Sequence, residues 1–126
     1  MRLALFICAG LAVLPPSVAR AAGLVASGPL TIQDTFVITC HVVNTGARPA
    51  PQVKIDVIDI TTGSGTEVAT VTLDLAPGAS GSASFTVPDE PGDFYCRATS
   101  PKSAKSLRGT FQVNDASGPV ASGEMR

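Results

Sequence analysis

Apolar and polar residues alternate along most of the chain after residue 22, and no segment there shows a convincing 3.6-residue apolar period. Alternation with a period of two is typical of strands that bury one face. Turn residues such as Gly, Pro and Asn separate the alternating segments. The predicted inward sets are Phe36/Ile38/Cys40/Val42, Val53/Ile55/Val57, Val71/Leu73/Leu75, Ala83/Phe85/Val87, Phe94/Cys96/Ala98 and Leu107/Gly109/Phe111/Val113. With an edge strand around Leu24 to Leu30, the pattern predicts an all-β, antiparallel sandwich of about seven short strands.

The alternation changes phase after Val57, because Ile58 and Ile60 continue the apolar pattern on the opposite parity. Two explanations fit this change. A β-bulge near Val57 would shift the phase, and a strand covered on both faces would bury both parities.

Two cysteines make the prediction of the fold more specific. Cys40 and Cys96 both have inward parity, lie in the second and sixth predicted strands, and are separated by 55 residues. An immunoglobulin-like sandwich places its inter-sheet disulfide on these strands. The chain has no tryptophan to pack on the bridge, and Tyr95 precedes Cys96 directly, so the likeness is to the architecture and not to antibody domains.

The N-terminus has the layout of a secretory signal peptide. Arg2 is followed by an apolar run from Leu3 to Leu14, then by Pro15-Pro16 and small residues up to Ala21. The run of about 12 residues is shorter than the roughly 20 needed to span a bilayer. We expect cleavage after Ala21, with a retained anchor as the alternative, and a secreted or periplasmic mature chain without a transmembrane anchor.

These boundaries give residues 1–21 as signal peptide, 22–114 as the sandwich domain and 115–126 as a flexible tail rich in Ser, Gly and Ala. Loss of Arg2 and Arg20 leaves seven basic and ten acidic residues, a net charge of about −3, which argues against nucleic acid as a partner. Cys8 leaves with the leader, and an even pair of cysteines in an exported chain favours a disulfide.

A second resemblance covers residues 36–98. Val42-Val43-Asn44-Thr45-Gly46, Leu75-Ala76-Pro77-Gly78-Ala79-Ser80 and Phe85-Thr86-Val87-Pro88 resemble turn and strand-edge signals of bacterial CARDB-type (cell-adhesion-related) extracellular β-sandwich modules. That resemblance implies a structural or adhesive role outside the cytoplasm.

The sequence contains few candidate residues for catalysis or metal binding. The only histidine, His41, points away from Cys40, and we interpret it as surface packing, because no motif brings a nucleophile and an acid to it. A group of carboxylates could supply oxygen ligands to calcium, or could instead form rigid acidic turns. This group consists of Asp56, Asp59, Asp89, Glu90 and Asp93. We expect no enzyme activity, no cofactor and no metal site.

Four of the seven mature basic residues lie between residues 97 and 108. The predicted last hairpin therefore carries a candidate binding patch formed by Tyr95, Arg97, Lys102, Lys105 and Arg108. Its pairing would place either Arg97 or Tyr95 opposite Arg108, the second allowing a cation–π contact. In one interpretation the patch binds an anionic envelope partner or an unidentified protein. In the other, its lysines only protect a sheet edge from aggregation.

Two function classes follow from these features. The first is a non-enzymatic, secreted binding or interaction module of the bacterial envelope or extracellular space. The alternative is a structural or accessory surface component without a small ligand. Binding that weakens with salt would favour the first class, and self-assembly insensitive to salt would favour the second.

Overall fold

The alternating segments form nine strands in the computed structural model, which describes residues 23–126. The predicted signal peptide lies outside the described residues. The strands are β1 (Gly23–Ala26), β2 (Leu30–Ile32), β3 (Val37–Asn44), β4 (Ala50–Asp59), β5 (Thr66–Leu75), β6 (Ser80–Thr86), β7 (Gly92–Ser100), β8 (Leu107–Asp115) and β9 (Gly118–Met125). Residues 23–126 contain no helix long and apolar enough to cross a membrane.

Two antiparallel sheets pack face to face, which confirms the predicted all-β sandwich. The first sheet has the order β1-β7-β4-β5, with β2 also paired to β7, and the second has the order β6-β3-β8-β9. Strands β3 and β7 have strictly alternating burial, so their inward side chains fill the space between the sheets. The apolar core is built from inward residues of both sheets, but Val71, which was predicted to face inward, is 38% exposed on the edge strand β5.

The predicted disulfide is present and joins the sheets. Cys40 of β3 and Cys96 of β7 are bonded, with a Cα–Cα distance of 5.6 Å, and both residues are fully buried. The bridge therefore crosses the centre of the core.

The phase change after Val57 reflects burial on both faces of β4, because the nearby bulge lies on the partner strand and β4 itself keeps a regular register with β7. The β4–β5 register pairs Val57 with Ala69 and Ile58 with Glu67, so Val68 is an extra residue, and the bulge lies on β5. Ile58 is also only 2% exposed, although it lies on the outer face of the first sheet.

The predicted last hairpin does not form. Strand β7 pairs with β4, β1 and β2, whereas β8 pairs with β3 and β9 in the other sheet. In the immunoglobulin order the sixth and seventh strands are neighbours, so this chain differs at its last strands. The β7–β8 connection crosses between the sheets, and Thr45 N donates to Ser106 O at 2.8 Å to hold it over the end of β3.

The prediction of a flexible tail is also wrong, because residues 118–125 form β9. The turn before β9 is closed by Asp115, whose Oδ1 accepts from Ser117 N at 2.8 Å and from Ser117 Oγ at 2.6 Å. Strand β9 pairs along β8, and Met125 is buried in the core at 4% exposure. Residues 23–126 thus form nine strands instead of about seven, because β9 is added and the predicted first edge strand is divided into β1 and β2.

Candidate functional site

A basic cavity lies at one end of the sandwich, between the β3–β4 and β7–β8 loops. It has a volume of about 710 Å³ and is lined by residues 46–51 and by residues from 100 to 106. Arg48, Lys102 and Lys105 contribute positive charge, and no acidic residue of the described part of the chain lines the cavity. The sequence predicted Lys102 and Lys105 for the binding patch, and the structure adds Arg48.

Asn44, at the end of β3, shapes the first of these loops. Its fully buried amide Nδ2 donates to Arg48 O at 2.7 Å and to Leu75 O at 3.0 Å, while Oδ1 accepts from Gly46 N at 3.0 Å. These bonds satisfy a buried amide and fix the backbone that carries Arg48.

The two loops are also tied to each other. Thr45 Oγ1 donates to Ser106 O at 2.9 Å, adding to the bond from its backbone N–H. A Cβ placed on Gly46 would lie 2.6 Å from Ser106 Cβ, so the absence of a side chain at Gly46 permits this close approach. The cavity walls are therefore set by the fold before any ligand binds.

The cations of the cavity are not neutralised within residues 23–126. In that range every ion pair with an N–O distance of 4.0 Å or less involves Lys54, Arg97 or Arg126. Arg48, Lys102 and Lys105 are exposed, and their cavity also contains serine side chains that can donate hydrogen bonds. This combination suits an anionic group better than a cationic or wholly apolar one.

A second cavity of about 600 Å³ adjoins the first and shares Ser103 and Lys105 with it. Arg108, another residue of the predicted patch, lines this cavity together with Glu124 and Arg126. Arg108 Nη1 donates to Lys105 O and to Leu107 O, both at 2.9 Å. Lys102, Lys105 and Arg108 therefore lie at one end of the molecule, although the hairpin predicted to carry them does not form.

Arg97 and Tyr95 lie elsewhere, on the outer face of the first sheet. Arg97 Nε and Nη2 donate to Asp56 Oδ2 at 3.1 and 2.9 Å, and Nη2 also donates to Glu67 Oε1 at 2.9 Å. The side chain of Asp56 is completely buried, and its Oδ1 accepts from Thr70 Oγ1 at 2.9 Å. The prediction that Arg97 belongs to a solvated basic patch is wrong, because its guanidinium is held between two carboxylates.

Neither predicted cross-strand contact of Arg108 occurs. Tyr95 pairs with Ile58 of β4, and Arg97 pairs with Asp56, whereas Arg108 pairs with Val43 of β3 in the other sheet. The repulsive arginine pair and the cation–π contact both required β7 and β8 to be neighbours.

Lys54 completes the ion cluster around Asp56. Its Nζ lies 2.6 Å from Glu67 Oε1 and 3.7 Å from Asp56 Oδ1. The hydrogen bond with Glu67 raises the pKa of Lys54 above 10.5, and the same bond lowers the pKa of Glu67 below 4.5. Burial opposes the charge of Arg97 most strongly, but the hydrogen bond and charge of Asp56, together with Tyr95 and Glu67, outweigh it, so the pKa of Arg97 is raised. Lys54, Glu67 and Arg97 are therefore charged around neutral pH.

Three of the five carboxylates considered for calcium, Asp56, Asp59 and Asp93, accept hydrogen bonds from neighbouring groups. Asp59 Oδ1 accepts from Thr61 N at 2.8 Å, and Asp93 Oδ1 accepts from Thr31 Oγ1 at 2.6 Å. Among residues 23–126, no three His, Cys, Asp or Glu side chains are grouped as a metal-ion site. Asp89 and Glu90 remain exposed on the β6–β7 turn.

His41 lies on the outer face of the second sheet, as its parity predicted. Its register partners are Ser82 on β6 and Thr110 on β8, and Thr110 in turn pairs with Glu124 on β9. This carboxylate is two strands from His41, about 10 Å away at the usual strand spacing. In a Ser-His-Asp arrangement, by contrast, the acid is hydrogen-bonded directly to the histidine.

No family model, curated protein or solved structure matches the chain. The CARDB-type resemblance stays a prediction based on its turn motifs.

Arg48 is the cavity residue that sequence reasoning missed. It stands among Gly46, Ala47, Pro49 and Ala50, more than 50 residues along the chain from Lys102 and Lys105. The predicted immunoglobulin-like strand order could have identified Arg48. Alternating strand directions place the second-to-third and sixth-to-seventh strand loops at the same end of a sandwich.

Proposed function

We propose that this chain is a non-enzymatic, secreted or periplasmic interaction module that binds an anionic partner at the basic cavity. The observation that carries the proposal is the convergence of Arg48, Lys102 and Lys105 on a concave surface without a lining carboxylate. Cations gathered in one cleft focus the electrostatic potential and attract an oppositely charged ligand. The buried disulfide supports a location where thiols become oxidised.

A carboxylate polymer tests the proposal. Fluorescently labelled polyglutamate should bind the purified protein, and its affinity should fall steeply between about 0.1 M and about 1 M salt, where the screening length falls from about 10 Å to about 3 Å. Arg48→Gln, Lys102→Gln and Lys105→Gln should each weaken binding about three- to fivefold, the upper part of the range expected for one exposed ion pair.

Lys54→Gln is the matched control, since it removes one positive charge from the outer face of the first sheet and not from the cavity. It should change the affinity less than twofold. Equal loss of affinity in all four variants would show that binding follows net charge, and the cavity would then have no special role.

A further inference from the structure

The charges of the sandwich are divided between its two ends. Strand β4 begins at the basic cavity with Ala50 and ends at Asp59, and β7 returns antiparallel from Gly92 to Ser100. The end opposite the cavity is therefore formed by residues 33–36, 60–65, 87–91 and 116–117, together with the adjoining strand ends. It carries six carboxylates and, within residues 23–126, no lysine or arginine: Asp34, Asp59, Asp89, Glu90, Asp93 and Asp115.

One part of this acidic end is an exposed, restrained turn. Pro88-Asp89-Glu90-Pro91 connects β6 to β7, and all four residues are exposed. Each proline fixes its own φ angle, which reduces the conformational entropy that the turn loses when it is bound. We define these four residues as the acidic turn.

Backbone hydrogen bonds fix the start of the acidic turn. Val87 O accepts from Thr35 N at 2.8 Å, and Val87 N donates to Phe36 O at 2.9 Å. On the far side, Asp93 N donates to Thr61 Oγ1 at 3.0 Å. Asp89 and Glu90 are thus presented together from a firmly held base.

The acidic turn and the basic cavity are complementary in charge. The cavity is concave and carries three cations, whereas the turn is exposed and carries two adjacent carboxylates. A volume of about 710 Å³ lies within the range of about 300–1,000 Å³ that accommodates ligands the size of a drug molecule. The two surfaces lie at opposite ends of the sandwich, so a single molecule cannot bring them into contact.

We propose that the acidic turn of one copy docks in the basic cavity of a second copy, joining copies head to tail. The inference rests on the proposed function, because it uses the same cavity and identifies its partner as this chain. The contact is heterologous, and a heterologous contact that does not close into a ring continues as a linear chain. The protein would then be a self-assembling component whose assembly depends on salt.

Sedimentation velocity with neutralised variants tests this inference. At low ionic strength the mass of the parent protein should rise with concentration beyond that of a dimer, and at about 1 M salt the protein should be a monomer. Asp89→Asn/Glu90→Gln removes the charge of the turn, and Lys102→Gln/Lys105→Gln removes charge from the cavity. Each double variant alone should remain a monomer.

A mixture of the two double variants is the decisive sample. One variant retains an intact cavity and the other an intact acidic turn, so an equal mixture should form one-to-one dimers and nothing longer. Asp34→Asn/Asp115→Asn is the matched control, because it removes two charges from the same end but leaves the turn, and it should assemble like the parent.

Three results would overturn the inference: a parent that is a monomer at every concentration and salt, a mixture that forms no dimer, or assembly unchanged at high salt. A monomeric parent that still binds polyglutamate through Arg48, Lys102 and Lys105 would refute the self-assembly alone. A parent protein that neither self-associates nor binds polyglutamate would refute the proposed function as well. Thermal melting of each variant checks that it is folded.

Discussion

At the residue scale, Asp56 is the most informative position, because its carboxylate is completely buried on the outer face of a sheet. A buried charge is tolerated where ion pairs and hydrogen bonds replace its water. Arg97 supplies two hydrogen bonds to Asp56, and Thr70 supplies a third. The arginine that the sequence assigned to binding therefore has a structural role.

Replacing Arg97 by methionine tests this role. Arg97→Met leaves Asp56 buried without its main cation and should lower the free energy of unfolding by about 3 kcal/mol, as breaking a buried ion pair does. Asp56→Leu/Arg97→Met removes both charges and should recover most of the loss. Denaturant unfolding measures both effects.

Arg108→Met is the control for this series. Arg108 is exposed and has no carboxylate partner among the described residues, so its replacement should change the free energy of unfolding by less than about 0.5 kcal/mol. Similar losses at Arg97 and Arg108 would contradict the structural role of the Asp56 pair.

The disulfide and the partners of Arg97 show which side-chain contacts could be predicted from the sequence. Inward parity predicted the disulfide because burial alternates regularly in β3 and β7. The partners of Arg97 were harder to find, since Asp56 is 41 residues and Glu67 is 30 residues away along the chain. Neighbouring third and sixth strands in the immunoglobulin order, combined with the shared outward parity of Asp56 and Arg97, would have indicated their contact.

Among the strands, β9 could not be predicted from the composition of its residues. Its residues are mainly Gly, Ala, Ser and Pro, which have low strand propensity. The strand forms because β8 presents an edge that can be paired, and because glycine fits closely there. A Cβ on Gly123 would lie 2.5 Å from Phe111 Cε1. Tertiary packing thus overrides local preference, which no pattern within residues 115–126 could reveal.

Met125 gives the element-scale prediction. It is 4% exposed and belongs to the core, whereas Val120 on the same strand is 50% exposed. Met125→Ala should lower the free energy of unfolding by about 2–3 kcal/mol through lost burial and a new cavity. Val120→Ala should cost less than about 0.5 kcal/mol. Chemical denaturation compares the two, and equal small effects would mean that β9 does not stabilise the domain.

At the scale of the whole molecule, three groups of charge serve different purposes. The ion cluster around Asp56 has one pair of cations and one pair of carboxylates and contributes no net charge. The two ends of the sandwich carry opposite charges, which the overall balance of the sequence conceals. The strand directions reveal this separation, because they place distant loops at a common end.

The disulfide links the two sheets covalently, and its removal should therefore destabilise the whole domain. The bridge closes a loop of about 57 residues, which in the chain-entropy model stabilises a fold by about 4 kcal/mol. A domain of this size has a total stability of about 5–15 kcal/mol, so the bridge is a large share. Cys40→Ala/Cys96→Ala should therefore remain folded only marginally in dilute buffer.

Denaturant unfolding with and without a reducing agent measures the contribution of the bridge. Both cysteines are fully buried, so reductant should act on the parent only after unfolding and should lower its unfolding midpoint toward that of the double variant. The double variant, which lacks the bridge, should be insensitive to reductant. A parent whose midpoint is the same in both conditions, although its thiols become free, would show that core packing alone holds the two sheets together.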